Sequence, residues 1–355
     1  MNTPLSSIVR KQIARFGPLP VSEYMALCLL HPKHGYYTTQ DAIGRSGDFT
    51  TAPEISQMFG ELLGLSLAQS WMDQGCPAPF LLAELGPGNG TLMADILRAT
   101  RNIPAFHKSA QITLVEASTE MQKRQTETLK KYDVTWYQNF SELPQHPIFL
   151  IANEFFDCMP IRQFRRTENG WQEQMVGCEN DKLHFMLGKA TSLESFNLAS
   201  DEPLNDIVEV SSASVSFTQA IAQHIAVTGG AAIVVDYGNW ISDGDTLQAV
   251  LKHQKVDVLS YCGQADLTAH VNFNDLHIAA SKFAKVSAMT SQGMLLEHLG
   301  ITARAQALAT QLSGAALKNH IAAHRRLTHP DEMGALFKAI AIVPLRENLP
   351  AGFSE

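Results

Sequence analysis

Three glycines at alternate positions, Gly86, Gly88 and Gly90 in the run Glu84-Leu85-Gly86-Pro87-Gly88-Asn89-Gly90, constrain this chain more than any other feature. The apolar run at 80–83 leads into them as a buried parallel strand, and 91–98 leaves them with the spacing of a helix. The glycines therefore occupy a strand-to-helix turn. Without a Cβ the backbone there can approach a ligand closely and adopt positive φ, and the helix start beyond offers unpaired amides to an electronegative group. Such a chain is expected to be α/β, with a Rossmann-like, mostly parallel sheet.

The spacing bears on the ligand. A dinucleotide site carries G-x-G-x-x-G, whereas here the glycines fall as G-x-G-x-G and Glu84 closes the strand two positions before the first. That favours a cofactor without a pyrophosphate. The pattern resembles the first motif of class I S-adenosyl-L-methionine methyltransferases, in which the acid faces the cofactor's charged amino acid end. A second strand, 111–116, ends in Glu116, where a carboxylate can accept both ribose hydroxyls. Dinucleotide and S-adenosylmethionine sites both use an acid here, so Glu116 supports an adenosine ligand without choosing; its alternative is a solvated strand-end glutamate. A third strand, 134–137, is followed by Asn139 and Phe140, placed to hydrogen-bond and stack an adenine. The fourth, 147–154, ends in Asn153 and Glu154. Gly86, Glu116, Asn139 and Glu154 then all project from the carboxyl edge, where open α/β sheets bind ligands.

At 355 residues there is ample length for a core, and 45% hydrophobic with 17% charged residues is an ordinary globular composition. A net charge of -8 without a basic stripe argues against nucleic-acid partners, whose phosphates are gripped by concentrated Lys and Arg. The five cysteines are dispersed and form no C-x-x-C pair, which implies a reducing compartment and no cysteine zinc site. His320 and His324 stand four apart on a predicted helix but lack an evident third metal ligand. No apolar stretch is long enough to span a bilayer, so membrane insertion is not expected.

Residues 1–79 read as a helical extension with a polar loop. Their first 22 positions hold Arg10, Lys11 and Arg15 and no acid, like a mitochondrial transit peptide, but run without a linker into the next helix. The expectation is a folded helix and a cytoplasmic protein, with the mitochondrial matrix as the alternative. Thr51 and Glu54 have capping-box spacing, with Pro53 in the first turn, and Ile55, Met58, Phe59, Leu62 and Leu63 follow at helical spacing. The loop at 38–54 can fold over the cofactor mouth with Asp48 and Phe49 touching ligand. Residues 80–160 hold four strands, and 161–228 an insertion: a hairpin about Glu168-Asn169-Gly170, an irregular polar stretch at 179–203, and a helix at 214–227. In 229–355, residues 231–238 form a fifth buried strand ending near Asp236, and 335–343 an edge or return strand.

With these residues assembled, the chain resembles the MidA family of S-adenosylmethionine-dependent methyltransferases, whose mitochondrial members are called complex I assembly factor 7. The likeness rests on GYYTTQDAIGRSGDFTTAPEISQMFGELLG at 35–64, ELGPGNGTLMADILRA at 84–99, ANEFFDCMPIRQF at 152–164, VVDYG at 234–238 and DTLQAVLKHQKVDVLSYCGQADLTAHVNF at 245–273. It implies methyl transfer from S-adenosyl-L-methionine to an arginine of a protein, a respiratory complex I subunit in the mitochondrial members. It places the cofactor on Gly86, Gly88 and Glu116, and the family's loop motif on Gly47, Asp48, Phe49 and Pro53. The absence of a separate targeting extension suggests a bacterial member with its own protein target. A homo-oligomer is compatible with the sequence. Two other readings compete: an NAD-dependent oxidoreductase, disfavoured by the glycine spacing and Glu84, and a catalytically silent assembly scaffold.

Arginine chemistry directs attention to Asn153-Glu154-Phe155-Phe156-Asp157. A guanidinium is planar, permanently cationic and a poor nucleophile, so it must be gripped with one nitrogen facing the methyl group, and carboxylates do this best. Glu154 and Asp157 are the expected catalytic acids, with Asn153 positioning a neighbouring nitrogen and the two phenylalanines excluding water. The alternative is a helix start whose acids favour its dipole.

Overall fold

The computed structural model describes residues 3–39, 50–191, 204, 206–242 and 244–355. Its centre is a nine-stranded sheet in the order Lys285–Val286, Phe337–Val343, Gly230–Asn239, Ile148–Asn153, Phe80–Leu85, Ala110–Val115, Val134–Tyr137, with Val271–Asn272 and Thr290–Ser291 as short side pairings. The strands from Val134–Tyr137 through Gly230–Asn239 are all parallel, in register Thr113↔Thr135, Ala83↔Thr113, Ala83↔Leu150 and Ala152↔Val234. Phe337–Val343 returns antiparallel, with Val234 opposite Ile340. It is no edge, because Lys285–Val286 pairs on its far side.

Alternate residues feed two cores. Phe80 and Leu82 face the Gln57–Asp73 and Thr91–Ala99 helices, while Leu81, Ala83 and Leu85 face Ser212–Thr228 and Phe273–Ser281. A strand buried on both faces must be apolar throughout, which is why 80–85 is so readable. Each fully buried side chain of this kind contributes about 1.5–3 kcal/mol. Gly64 lets the first two helices meet: a Cβ there would lie 2.9 Å from the Ile96 Cα.

The insertion forms a second sheet. The hairpin Arg162–Thr167 and Gly170–Glu179 turns at Glu168-Asn169, as its sequence predicts, and Leu19–Pro20 and Ile207–Val210 pair on its two sides. The expectation of an irregular stretch after 179 is corrected: Lys182–Thr191 is a strand paired with Gly170–Glu179. Asn180 and Asp181 make the connection at φ 49° and 61°, the left-handed turn that suits a two-residue hairpin. A third, three-stranded sheet joins Gln248–Leu251, Gln254–Val256 and Asp266–Thr268.

The capping box is also corrected. The segment breaks into a turn, Ala52–Ile55, and the helix Gln57–Asp73, with extended Ser56 capping the Met58 amide at 3.3 Å. Thr51 makes no side-chain cap bond, and Glu54 is used elsewhere.

Candidate active site

Gly86, Gly88 and Gly90 all take positive φ, 57°, 52° and 78°, and Gly86 is exposed at the carboxyl edge. A Cβ on Gly86 would sit 3.0 Å from the Phe155 ring and at a φ that L side chains rarely adopt, so a side chain there would force the ring or the turn to shift. Beneath it Glu84 is 3% exposed, and its Oε2 has no hydrogen-bond partner among the described residues. Burial pushes the Glu84 carboxyl well above its usual range, against the Met93 amide. Glu116 follows the second strand; its Oε1 accepts from the Ser118 amide at 2.7 Å and its Oε2 from the Gln125 amide nitrogen at 3.0 Å. Burial raises its pKa, and those hydrogen bonds oppose the rise.

Gln125, unforeseen from the sequence, ties this half together. Its Nε2 also donates to the Gly88 carbonyl at 2.9 Å, and its Oε1 accepts from the Trp136 indole at 2.8 Å. The only signal was a polar residue in the spacing Met121, Gln125, Leu129, all of them buried. Glu54 clamps the turn from outside, its Oε1 accepting from Thr91 Oγ1 at 2.6 Å and Asn89 Nδ2 at 3.3 Å. Pro53 is buried beside it. The expected ligand contacts Asp48 and Phe49, and Gly47 of the loop motif, lie outside the described residues.

Asn139 and Phe140 stand differently from expectation. The Asn139 amide donates to Glu142 Oε1 at 2.7 Å, and Phe140 is 7% exposed, its ring 5.8 Å from those of Phe217 and His224 in the core rather than free at the edge. His320 and His324 turn to the Ala305 carbonyl and the Thr302 hydroxyl.

The acids gather after the fourth strand. Glu154 sits at φ 52° in a tight turn, not at a helix start. Its Oε1 accepts from the Ala52 amide at 3.2 Å and from Asn153 Nδ2 at 3.1 Å. Asn153 is 8% exposed, and its Oδ1 has no partner among the described residues. Burial raises the Glu154 pKa, opposed by the Ala52 amide, Asn153 and the Arg326 charge. Asp157 is pushed well above its ordinary range by burial and by Asp236, Asp266 and Glu154. Asp236, at the end of the fifth strand, accepts from the Phe155, Phe156 and Tyr237 amides at 3.0, 2.7 and 2.8 Å, yet burial still pushes it up to about 7. Asp266 enters from the three-stranded sheet and accepts from the Tyr37 hydroxyl at 2.9 Å. Asp236, Asp266 and Tyr37 thus join the two predicted acids; Asp236 carries the sequence signal of an acid near the end of the fifth strand, whereas no spacing marks Asp266 or Tyr37.

A strand order with one antiparallel return, a glycine turn after the first strand and an acid after the second define a class I S-adenosylmethionine-dependent methyltransferase. Residues 62–291 match the family described as "Putative S-adenosyl-L-methionine-dependent methyltransferase". The chain is 36% identical to the Xenopus tropicalis protein named protein arginine methyltransferase NDUFAF7, mitochondrial, over 100% of this chain and 90% of that one. The Homo sapiens protein of that name is 36% identical over 96% and 84%. A Burkholderia thailandensis crystal structure bound to S-adenosyl-homocysteine superposes with a TM-score of 0.86 at 28% identity, covering 99% of this chain and 97% of that one. The chain belongs to this methyltransferase family, and its cofactor is S-adenosyl-L-methionine. The residues present fit that group: a glycine turn at positive φ with Gly86 exposed at the carboxyl edge, an orphaned acceptor on Glu84, and an acid after the second strand. No helix among the described residues is long and apolar enough to cross a membrane.

Proposed function

We propose that this enzyme methylates an arginine side chain of a protein substrate, held by Glu154, Asp157 and Asn153. One observation supports it above the rest: the edge where methyl transfer takes place in this fold is lined by acceptors in excess of donors. Burial raises Glu154, Asp157 and Asp236, with Asp236, Asp266 and Glu154 adding to Asp157 and Glu154 adding to Asp236, and Asn153 Oδ1 is buried without a donor among the described residues. A guanidinium carries five N–H donors and no acceptor, and it cannot lose its charge. It therefore answers all of these groups, and its arrival returns the carboxyls to their ionised state.

The cofactor supplies an electrophilic methyl group. The chain's own residues fix the guanidinium plane, and such orientation is worth several kcal/mol, up to about 7–11 kcal/mol in well-positioned systems. Glu154 bears most directly on the reacting nitrogen, because the Ala52 amide and Asn153 hold its carboxylate in place. Phe155 and Phe156, packed edge to face with centroids 5.3 Å apart, keep water from the acids. The names of the relatives agree with an arginine target. A respiratory complex I subunit is the substrate class the family likeness suggests, in the cytoplasm of a bacterium or, by the relatives' names, in mitochondria.

The test is intact-protein and peptide mass spectrometry of candidate complex I subunits and of a whole-cell lysate, with and without S-adenosylmethionine. Added methyl mass on arginine is expected. Methylation confined to another residue type, or none in any fraction, overturns the reading.

A further inference from the structure

We infer that Asp266, aimed by the Tyr37 hydroxyl, completes the acid set of the substrate pocket and makes it select a planar guanidinium over an ammonium. The inference rests on the arginine reading above and adds to it a residue from a separate part of the chain.

Asp266 is 7% exposed and opens the strand Asp266–Thr268, with Val250 as its cross-strand partner. That strand is tied to the acid turn: the Ala269 amide donates to the Asp157 carbonyl at 2.9 Å. Asp266 acts directly on Asp157, being among the charges that raise it. Tyr37 reaches Asp266 from the N-terminal layer, and its own carbonyl accepts from Ser118 Oγ at 3.0 Å, two residues beyond the cofactor acid Glu116. One residue thus links the cofactor half to Asp266. The independent sign of a missing donor is Asn153, more than nine-tenths buried, whose Nδ2 lies 3.1 Å from Glu154 while its Oδ1 pairs with nothing described.

Distribution of acceptors is what separates the two cations. An ammonium is a compact point charge that one carboxylate can hold, whereas a guanidinium spreads its donors around a rigid plane and needs acceptors on more than one side. The acids here arrive from three elements: Glu154 and Asp157 from the turn after the fourth strand, Asp236 from the fifth strand, and Asp266 from the three-stranded sheet. Asp266 is the one that widens the set. Its amide version would leave an acid pair adequate for an ammonium and poor for a guanidinium.

The experiment titrates the full chain, in the presence of S-adenosyl-homocysteine, with ethylguanidinium and with n-butylammonium. Saturation-transfer NMR and calorimetry read the binding. Wild type should prefer ethylguanidinium at least tenfold. Asp266→Asn should lose about tenfold for ethylguanidinium and no more than threefold for butylammonium, and Tyr37→Phe should lose three- to fivefold in preference. S-adenosyl-homocysteine affinity should stay within twofold in both. If Asp266→Asn and Tyr37→Phe keep the wild-type preference while Glu154→Gln loses ethylguanidinium, the role of Asp266 is overturned and the arginine reading stands. If wild type shows no preference for ethylguanidinium, or Glu154→Gln binds it unchanged, the arginine reading falls and this inference with it. Should Asp266→Asn fail to bind S-adenosyl-homocysteine through misfolding, Tyr37→Phe decides alone, and an unaltered preference overturns the proposal.

Discussion

Acids gather on a flank and at the carboxyl edge of this molecule, and they meet arginines differently: the flank acids are hydrogen-bonded to them, whereas at the edge Arg326 acts on Glu154 through its charge. On the flank, Glu61 accepts from Arg304 Nε at 2.8 Å and from Arg98 Nη2 and Arg304 Nη2 at 3.2 Å, and Asp95 pairs with Arg98 at 2.7 Å. At the carboxyl edge, the charges acting most strongly on Asp157 are three further acids. The flank shows a guanidinium–carboxylate arrangement closed within the chain. At the edge no arginine is hydrogen-bonded to Glu154, Asp157 or Asp236 among the described residues, an arrangement that the proposed arginine substrate would complete. Burial without pairing costs stability; the edge carries that cost on Glu154, Asp157 and Asp236, while on the flank it falls on Asp95, whose Oδ2 has no partner among the described residues.

The largest effect expected from that difference is a pH dependence of stability in the free protein. Asp236 is raised by burial to about 7 in the folded state, and an unfolded aspartate titrates near about 4. A carboxyl raised in this way contributes stability below its unfolded pKa and loses it as pH rises through the folded value. The shift corresponds to about 4 kcal/mol. Urea unfolding should therefore show stability falling from pH 5 toward pH 7 and levelling above about 8. Asp95 is also raised, to about 6, by burial against the pull of Arg98, so its share is spent earlier in the same window. Saturating ethylguanidinium should restore stability most at pH 8, with proton release on binding near pH 6. Equal restoration at pH 5 and 8, with no proton release, would mean the edge acids are not waiting for a cation.

The next effect is catalytic. Glu154→Gln keeps the size and the acceptor for the Ala52 amide but removes the charge, so methyl transfer should drop at least about a hundredfold, about 2.7 kcal/mol of transition-state stabilisation. S-adenosyl-homocysteine affinity should hold, and stability at pH 8 should not fall. Single-turnover transfer at the wild-type rate would take Glu154 out of the chemistry.

The cofactor half was legible in the sequence because its signals are local. A strand buried on both faces, a glycine turn and an acid after the next strand each fit within a short window. The substrate half was only partly legible. Glu154 and Asp157 stand together in sequence, but Asp266 reaches them through a strand pairing and Tyr37 through the packing of the N-terminal layer, and no spacing encodes either. Glu54 had the spacing of a cap and became a clamp on Asn89 and Thr91, because a tertiary acceptor outcompeted a local one. The strand Lys182–Thr191 has apolar residues at alternate positions, Leu183, Phe185 and Leu187, a signal passed over beside the polar residues around it, and it is joined to Gly170–Glu179 by the turn at Asn180 and Asp181.

The smallest expected effect tests the flank. Glu61→Gln leaves Arg304 with a neutral acceptor and Arg98 with its Asp95 pair, where the two arginines now share a carboxylate whose side chain is 7% exposed. Were both arginines buried, breaking such a set would cost about 3–5 kcal/mol. They are 39% and 42% exposed, so water can take up much of the released charge, and the loss should be about 1–2 kcal/mol, shrinking in salt. Methyl transfer per folded molecule and S-adenosyl-homocysteine affinity should stay within twofold, because the network holds the Gln57–Asp73 helix against Thr91–Ala99 without reaching the acid edge. Charge removal would then have opposite consequences in the two regions: stability lost and activity kept on the flank, activity lost and stability kept at the edge. A Glu61→Gln protein that unfolds at the wild-type urea midpoint would show that the flank arginines are solvated surface groups. One that folds normally but transfers methyl groups tenfold more slowly would place the flank in the substrate's path.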